Sequence, residues 1–140
     1  MYKIGLIGQS LNHSFSKQYF DEKIKKELIS NFSYDLYEIS SLDLIKNVIS
    51  KKNIIGLNIT YPYKEEILKF INFLDNDAKE IQAVNTIFID KIKSKITGYN
   101  TDWIGFYQSL DNFLPKKYFK ALVLGSGGGS KAICYALKKK

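Results

Sequence analysis

The chain is 140 residues long, 45% apolar and 14% aromatic. That is enough for one well-packed domain, which excludes general disorder and leaves no room for two domains of ordinary size. The net charge is +7, but all 21 basic residues are Lys; without Arg, the group that reads guanine and phosphate bidentately, nucleic acid is not an expected partner.

In chain order, residues 2–8 (Tyr-Lys-Ile-Gly-Leu-Ile-Gly) read as a first strand ending at Gly8. Residues 9–16 form a polar loop, with Ser14 or Ser16 available to cap the next helix. Tyr19, Phe20, Ile24 and Leu28 keep helical spacing over 17–29. Residues 32–39 alternate as a second strand, and Leu42, Leu44, Ile45, Val48 and Ile49 mark a second helix capped by Ser40 or Ser41. A third strand covers 54–59. A helix is expected over 64–74, with Pro62 at its start, and a short one over 77–81. Residues 83–89 and 95–99 are strand-like on either side of a charged turn, which makes a hairpin and hence a mixed sheet. A helix over 102–113, a linker holding Pro115, a strand over 120–124, a glycine loop over 125–129 and a last helix complete the chain. Seven of the lysines and no acid fall in 112–140, so the remaining residues are neutral and the chain has a basic end, not a basic domain.

Cys134, on that last helix, reads as a small buried apolar residue, and as the one Cys it excludes an internal disulfide and a thiolate metal cluster. A single His13 gives no support to paired-imidazole metal sites or His-based triads, and it reads as structural in the first loop. No apolar run nears 18 residues and the N-terminus lacks a signal-peptide core, so a cytoplasmic protein without a membrane partner is expected. No residue pattern specifies an oligomeric state.

The most informative stretch is 56–64, Gly-Leu-Asn-Ile-Thr-Tyr-Pro-Tyr-Lys. A buried-strand composition breaks into Asn, Thr and Pro and ends on a Lys. Ligands of open α/β sheets bind at the carboxyl ends of strands, where that Lys would meet a polar small molecule. Taken alone, the segment is equally an ordinary strand–loop–helix with a solvated Lys. Three more polar clusters fall at predicted strand ends: residues 12–16, 84–86 and 98–102. Together they offer hydroxyls, carboxamides, an ammonium and a carboxylate, a set suited to a polyhydroxylated carboxylic acid. Lys64 and Asp102 form a candidate acid/base pair. Each cluster also has a plain structural reading: Ser14, Ser16 and Asp102 as helix caps, Asn85 and Asn100 as turn formers.

Four motifs in order resemble the substrate-binding half of the shikimate dehydrogenase family: His13-Ser14-Phe15-Ser16, residues 56–64, Ala83-Val84-Asn85-Thr86, and Gly98-Tyr99-Asn100-Thr101-Asp102. The glycine segment 123–132 is similar to that family's dinucleotide loop, so the resemblance spans essentially the whole chain. The fold it implies is α/β, an open mixed, mostly parallel sheet flanked by helices, followed by a truncated Rossmann-type β–α start. Residues 1–113 would bind substrate, 114–119 would link, and 120–140 would begin an incomplete dinucleotide domain. The resemblance assigns Ser14 and Ser16 to the shikimate carboxylate, and Thr60, Asn85 and Asp102 to ring hydroxyls. Lys64 and Asp102 would stand at the reacting C3 oxygen. The implied reaction is the reversible NADPH-dependent reduction of 3-dehydroshikimate to shikimate, a step of aromatic amino-acid biosynthesis. One departure is Lys17, where the family has Pro after the second Ser.

Against G-x-G-x-x-G, Gly125 and Gly127 fit and Ser130 takes the third place, so the resemblance gives Gly125, Ser126, Gly127, Gly128, Gly129 and Ser130 to NADP. The second strand, whose end would read the adenosine ribose about 20 residues past the loop, is absent from these 140 residues. The expectation for these 140 residues is weak shikimate binding without NADP-dependent turnover. A non-catalytic shikimate-binding fragment and a quinate/shikimate dehydrogenase of broader specificity are the alternative readings.

Overall fold

The structure, a computed structural model, describes residues 1–110 and 120–140. Its first strand, β1 (Tyr2–Gly8), pairs in parallel with β2 (Phe32–Glu38) on one side and β3 (Ile54–Ile59) on the other. β3 is antiparallel to β5 (Thr86–Asp90), β5 is antiparallel to β6 (Lys95–Tyr99), and the two-residue β4 (Phe73–Leu74) runs parallel to β6. The sheet order is β2-β1-β3-β5-β6-β4, mixed and mostly parallel as the hairpin required. Leu6 and Ile7 at the end of β1 are both buried, because a central strand with covered faces admits apolar side chains on each. Ile7, Leu57, Ile59, Ile87 and Ile89 pack on one face with Ile45, Val48 and Ile67. On the other face, Leu6, Leu11 and Tyr34 meet Phe20 of α1 (Ser16–Lys26), whose ring stacks on Tyr34 at 4.3 Å.

Several local expectations give way to tertiary contacts. The helix over 17–29 ends at Lys26, and Leu28 turns left-handed at φ 51°. The second helix begins as a 3-10 turn, Leu42–Leu44, capped by Ser41, before α2 (Ile45–Ile49). The helix expected over 64–74 is a 3-10 segment, Glu66–Phe70, followed by β4. There the free edge of β6 offers ladder partners, and Asn72 N–H donates to Ile96 O at 3.2 Å instead of continuing a helix. Pro62 stands in a turn after a cis Tyr61–Pro62 peptide, not at a helix start. The short helix is α3 (Asn76–Ile81), capped by Asp75.

The helix over 102–113 is described as α4 (Asp102–Ser109); its last turn and the 114–119 linker lie outside the described residues. The strand expected over 120–124 pairs with neither edge strand of the described sheet, β2 nor β4, and without a ladder partner its Leu122 and Leu124 are exposed. α5 (Gly128–Lys139) buries Gly128, Ala132, Tyr135 and Ala136, an i, i+4, i+7, i+8 stripe. It docks on α3 and α4 through Trp103, Ile81 and Ala83, and Tyr135 donates to Asp77 at 2.5 Å. That stripe turns Cys134 outward, so the expected buried Cys is exposed.

Candidate functional site

Strand direction gathers the polar clusters. β5 runs antiparallel to β3, so its start (Thr86 beside Asn58) lies at the carboxyl end of β3, and Tyr99 at the end of β6 lies opposite Thr86. Backbone hydrogen bonds tie the loops there: Thr60 N–H to Ile7 O at 2.9 Å, Ile59 N–H to Asn85 O at 2.7 Å, Val84 N–H to Lys64 O at 2.7 Å, and Asn85 N–H to Tyr99 O at 3.1 Å. Gly8 permits the close approach of the first two loops. A Cβ on it would stand 2.6 Å from both Leu11 Cδ2 and Thr60 Cγ2.

The result is one open cleft of about 600 Å³ that contains Ser14, Ser16, Thr60, Lys64, Asn85 and Asp102 together, with His13 and Phe15 beside the serines. A neighbouring groove over α1 and β2 holds only Ser14 of these six. Lys64 Nζ donates to Asp102 Oδ2 at 2.7 Å, and both side chains are partly shielded, 22% and 33% exposed. Asn85 Nδ2 donates to the second oxygen of Asp102 at 2.8 Å and to Thr101 Oγ1 at 2.8 Å. The carboxylate is thus held from two sides, with its plane set before any ligand arrives.

Asp102 does not cap its own helix. Asn100, 2% exposed, does so: its Oδ1 accepts from the N–H groups of Asp102 (3.1 Å) and Trp103 (3.4 Å), and its Nδ2 donates to Ala83 O at 2.9 Å. This division of labour frees the carboxylate of Asp102 for Lys64. Ser14 Oγ accepts the Ser16 N–H at 3.3 Å, while the N-cap position itself is Phe15 and makes no side-chain bond.

Asn58, which lines the cleft, and Tyr34, buried beneath it, are residues that sequence reasoning did not assign. Tyr34 donates to Asn58 Oδ1 at 3.0 Å, and Asn58 Nδ2 donates to Thr86 Oγ1 at 3.2 Å. Thr86 Oγ1 in turn donates to Asn85 Oδ1 at 3.1 Å, so a polar chain runs beneath the cleft from β2 to Asp102. Burial pushes the Tyr34 phenol above its ordinary range, with a hydrogen bond to Ser16 acting against it. Asn58, a carboxamide in a strand otherwise apolar around it, was the available signal; Tyr34 in an alternating strand carried none.

The glycine loop lies behind Lys64. Gly125 adopts φ +124°, a conformation that favours Gly, and Gly127 caps α5. Ser130, in the third glycine place, donates to Gly127 O at 3.0 Å, and a Cβ on Gly129 would meet open space. Gly128 is different: it is buried against Lys64 and Ala83. Glu65 and Lys131 form an ion pair beside it. Among the described residues, no group of His, Cys, Asp and Glu could hold a metal ion.

Residues 6–87 match the family of shikimate dehydrogenase substrate binding domains. The chain is 43% identical over 143 residues to shikimate dehydrogenase (NADP(+)) of Clostridium botulinum strain Hall, covering 99% of this chain and 54% of that protein. The crystal structure of shikimate dehydrogenase 1 from Peptoclostridium difficile superposes with a TM-score of 0.87 at 36% identity, covering 99% of this chain and 52% of that one. The shikimate 5-dehydrogenase of Thermus thermophilus, in complex with NADP(H) and shikimate, superposes with a TM-score of 0.85 at 28% identity over 99% of this chain and 52% of that one. The chain therefore spans about half the length of the relatives it matches.

Proposed function

The chain belongs to the shikimate dehydrogenase substrate-binding family, and from that membership we propose that it is the substrate-holding part of an NADP-dependent shikimate dehydrogenase. The observation that carries the reading is the Lys64–Asp102 pair at 2.7 Å, in one cleft with Ser14 and Ser16. The serine hydroxyls take the carboxylate of shikimate, and Thr60, Asn85 and Asp102 take its ring hydroxyls. NADPH, when bound, supplies a hydride to the C3 carbonyl carbon. As charge grows on the C3 oxygen, the Lys64 ammonium stabilises it and delivers the proton, and Asp102 holds that ammonium in line. In the reverse direction Lys64 takes the proton back.

The glycine loop fits the pyrophosphate of NADP in three respects: the left-handed turn at Gly125, the open face at Gly129, and first-turn N–H groups of a twelve-residue helix. Residues 1–113 are the substrate domain, 114–119 the linker, and 120–140 the start of the nucleotide domain. The location is the cytoplasm, and the partner is a small molecule, with neither nucleic acid nor membrane involved. No described helix is long and apolar enough to cross a membrane.

The test is calorimetric titration of the 140-residue chain with shikimate, beside quinate and beside a Lys64→Met variant. Shikimate is expected to bind weakly, and Lys64→Met to lower its affinity by about tenfold or more, the worth of one charge-assisted hydrogen bond. Equal affinity of the variant would remove Lys64 from the site. Tighter binding of quinate would favour a dehydrogenase of broader specificity.

A further inference from the structure

Gly128 belongs to the glycine loop by sequence, yet its Cα faces the stem of Lys64. A Cβ at Gly128 would stand 2.8 Å from Lys64 Cβ, 3.1 Å from Ala83 Cβ and 3.5 Å from Lys64 Cδ. Carbon pairs settle at about 3.5–4 Å, so a methyl there forces a displacement of about 1 Å. The surrounding backbone resists it. Lys64 O accepts from Val84 N–H at 2.7 Å, and Ala83 O accepts from Asn100 Nδ2 at 2.9 Å. The far end of α5 is held by the Tyr135–Asp77 bond and by the Trp103–Tyr135 contact, with ring centroids 5.2 Å apart. Its first turn is pinned by Lys131 to Glu65, the residue after Lys64. Lys64 Cβ and Ala83 Cβ are fixed by their backbones, so relief requires a shift of the first turn of α5 or of the Lys64 backbone, and either unseats the lysine stem whose Nζ sits 2.7 Å from Asp102.

We propose that Gly128 is a positioning residue: the missing side chain on the first turn of the nucleotide-loop helix lets that helix close against the Lys64 stem and hold its ammonium on Asp102. The role deepens the reading of Lys64 as the acid/base, and it makes the start of the nucleotide unit part of the catalytic lysine's support. A 1 Å misplacement of such a group costs far more than the contact itself, because alignment with the reacting atom is lost. Nothing in G-x-G-x-x-G demands this glycine, since Gly128 falls on one of its variable places.

The proposal is tested on the 140-residue chain by competitive acetylation read by peptide mass spectrometry, with the exposed Lys93 as internal reference. Gly128→Ala is expected to raise the Lys64 labelling ratio about threefold to fivefold, the effect of losing a partly shielded ion pair. Lys3, paired with Asp35 at 2.7 Å on β1 and β2, should keep its ratio, which separates a local release from general loosening. Gly105→Ala, on α4 where a Cβ would meet open space, should change neither. A folded Gly128→Ala chain whose Lys64 ratio is unchanged, or whose Lys3 ratio rises equally, overturns the proposal. If Gly128→Ala does not fold, Lys131→Gln is read instead. Loosening the pinned turn should raise the Lys64 ratio about twofold, and an unchanged ratio overturns the proposal. Shikimate is titrated into the wild-type chain in parallel. Absence of binding there counts against the substrate assignment, while the labelling ratios still decide the role of Gly128.

Discussion

Asn100 is the side chain on which both the start of α4 and the placement of Asp102 depend, and its replacement by Ala has a calculable cost. Three hydrogen bonds are lost: one donated to Ala83 O at 2.9 Å, and two accepted from Asp102 and Trp103 N–H at 3.1 and 3.4 Å. Ala83 is fully buried, so its carbonyl is left without a partner and without water, at about 1–3 kcal/mol. Losing an N-cap adds about 1 kcal/mol. The expected total is about 2–4 kcal/mol, a large share of the roughly 5–15 kcal/mol that holds a domain. Equilibrium urea unfolding, followed by the fluorescence of Trp103, the one Trp and a neighbour of the change, measures it. Asn100→Asp separates the contributions: it keeps the cap but sets a carboxylate oxygen against Ala83 O, and should lose about 1–3 kcal/mol from that contact. Asn47→Ala, at an exposed position, should stay within about 0.5 kcal/mol of wild type. If Asn100→Ala matched that control, the capping and Ala83 bonds would not carry the energy assigned to them.

Alkaline stability should fall in a defined window. The phenols of Tyr34, Tyr37 and Tyr63 are all raised, chiefly by burial, so the folded chain holds their protons longer than the unfolded chain does. Their contribution is fully present below the ordinary tyrosine value near pH 10 and is lost as pH rises through the folded values. Tyr34→Phe should cost about 0.5–1.5 kcal/mol at neutral pH, through the bond to Asn58, and should flatten part of the alkaline decline. Unfolding free energies from pH 7 upward would contradict this if the two slopes coincided. Cys134, turned outward on α5, should react fully with a disulfide reagent in native buffer. A thiol that reacts only after denaturant is added would mean that α5 buries a different face.

How far the site was legible depended on the kind of information each residue carries. Ser14, Ser16, Thr60, Lys64, Asn85 and Asp102 stand in local motifs whose residue types announce their chemistry, and all six line one cleft. Tyr34 sits under that cleft but looks like any aromatic in an alternating strand; only its pairing across the sheet brings its hydroxyl to Asn58. The cap of α4 was left open by the sequence for a similar reason. Both Asn100 and Asp102 are good capping residues, and which one caps was decided by Lys64 and Asn85 competing for the Asp102 carboxylate. Residues 64–74 have helical period, yet the open edge of β6 captured Phe73 and Leu74. Cys134 was misplaced because one residue of helical phase separates the buried stripe from the solvent face.

The sequence by itself determined the alternation of strands and helices, the mixed sheet, and an ordered set of hydroxyls, carboxamides, one ammonium and one carboxylate at strand ends. These follow from periodicity and residue chemistry, which are local properties. Only the tertiary structure decided that the clusters meet, because the antiparallel run of β5 against β3 folds residue 86 back to the end of β3. It likewise decided that Gly128, 64 positions further along the chain, closes behind Lys64. Contacts between residues so far apart depend on strand direction and helix docking, and these are set by packing across the whole core.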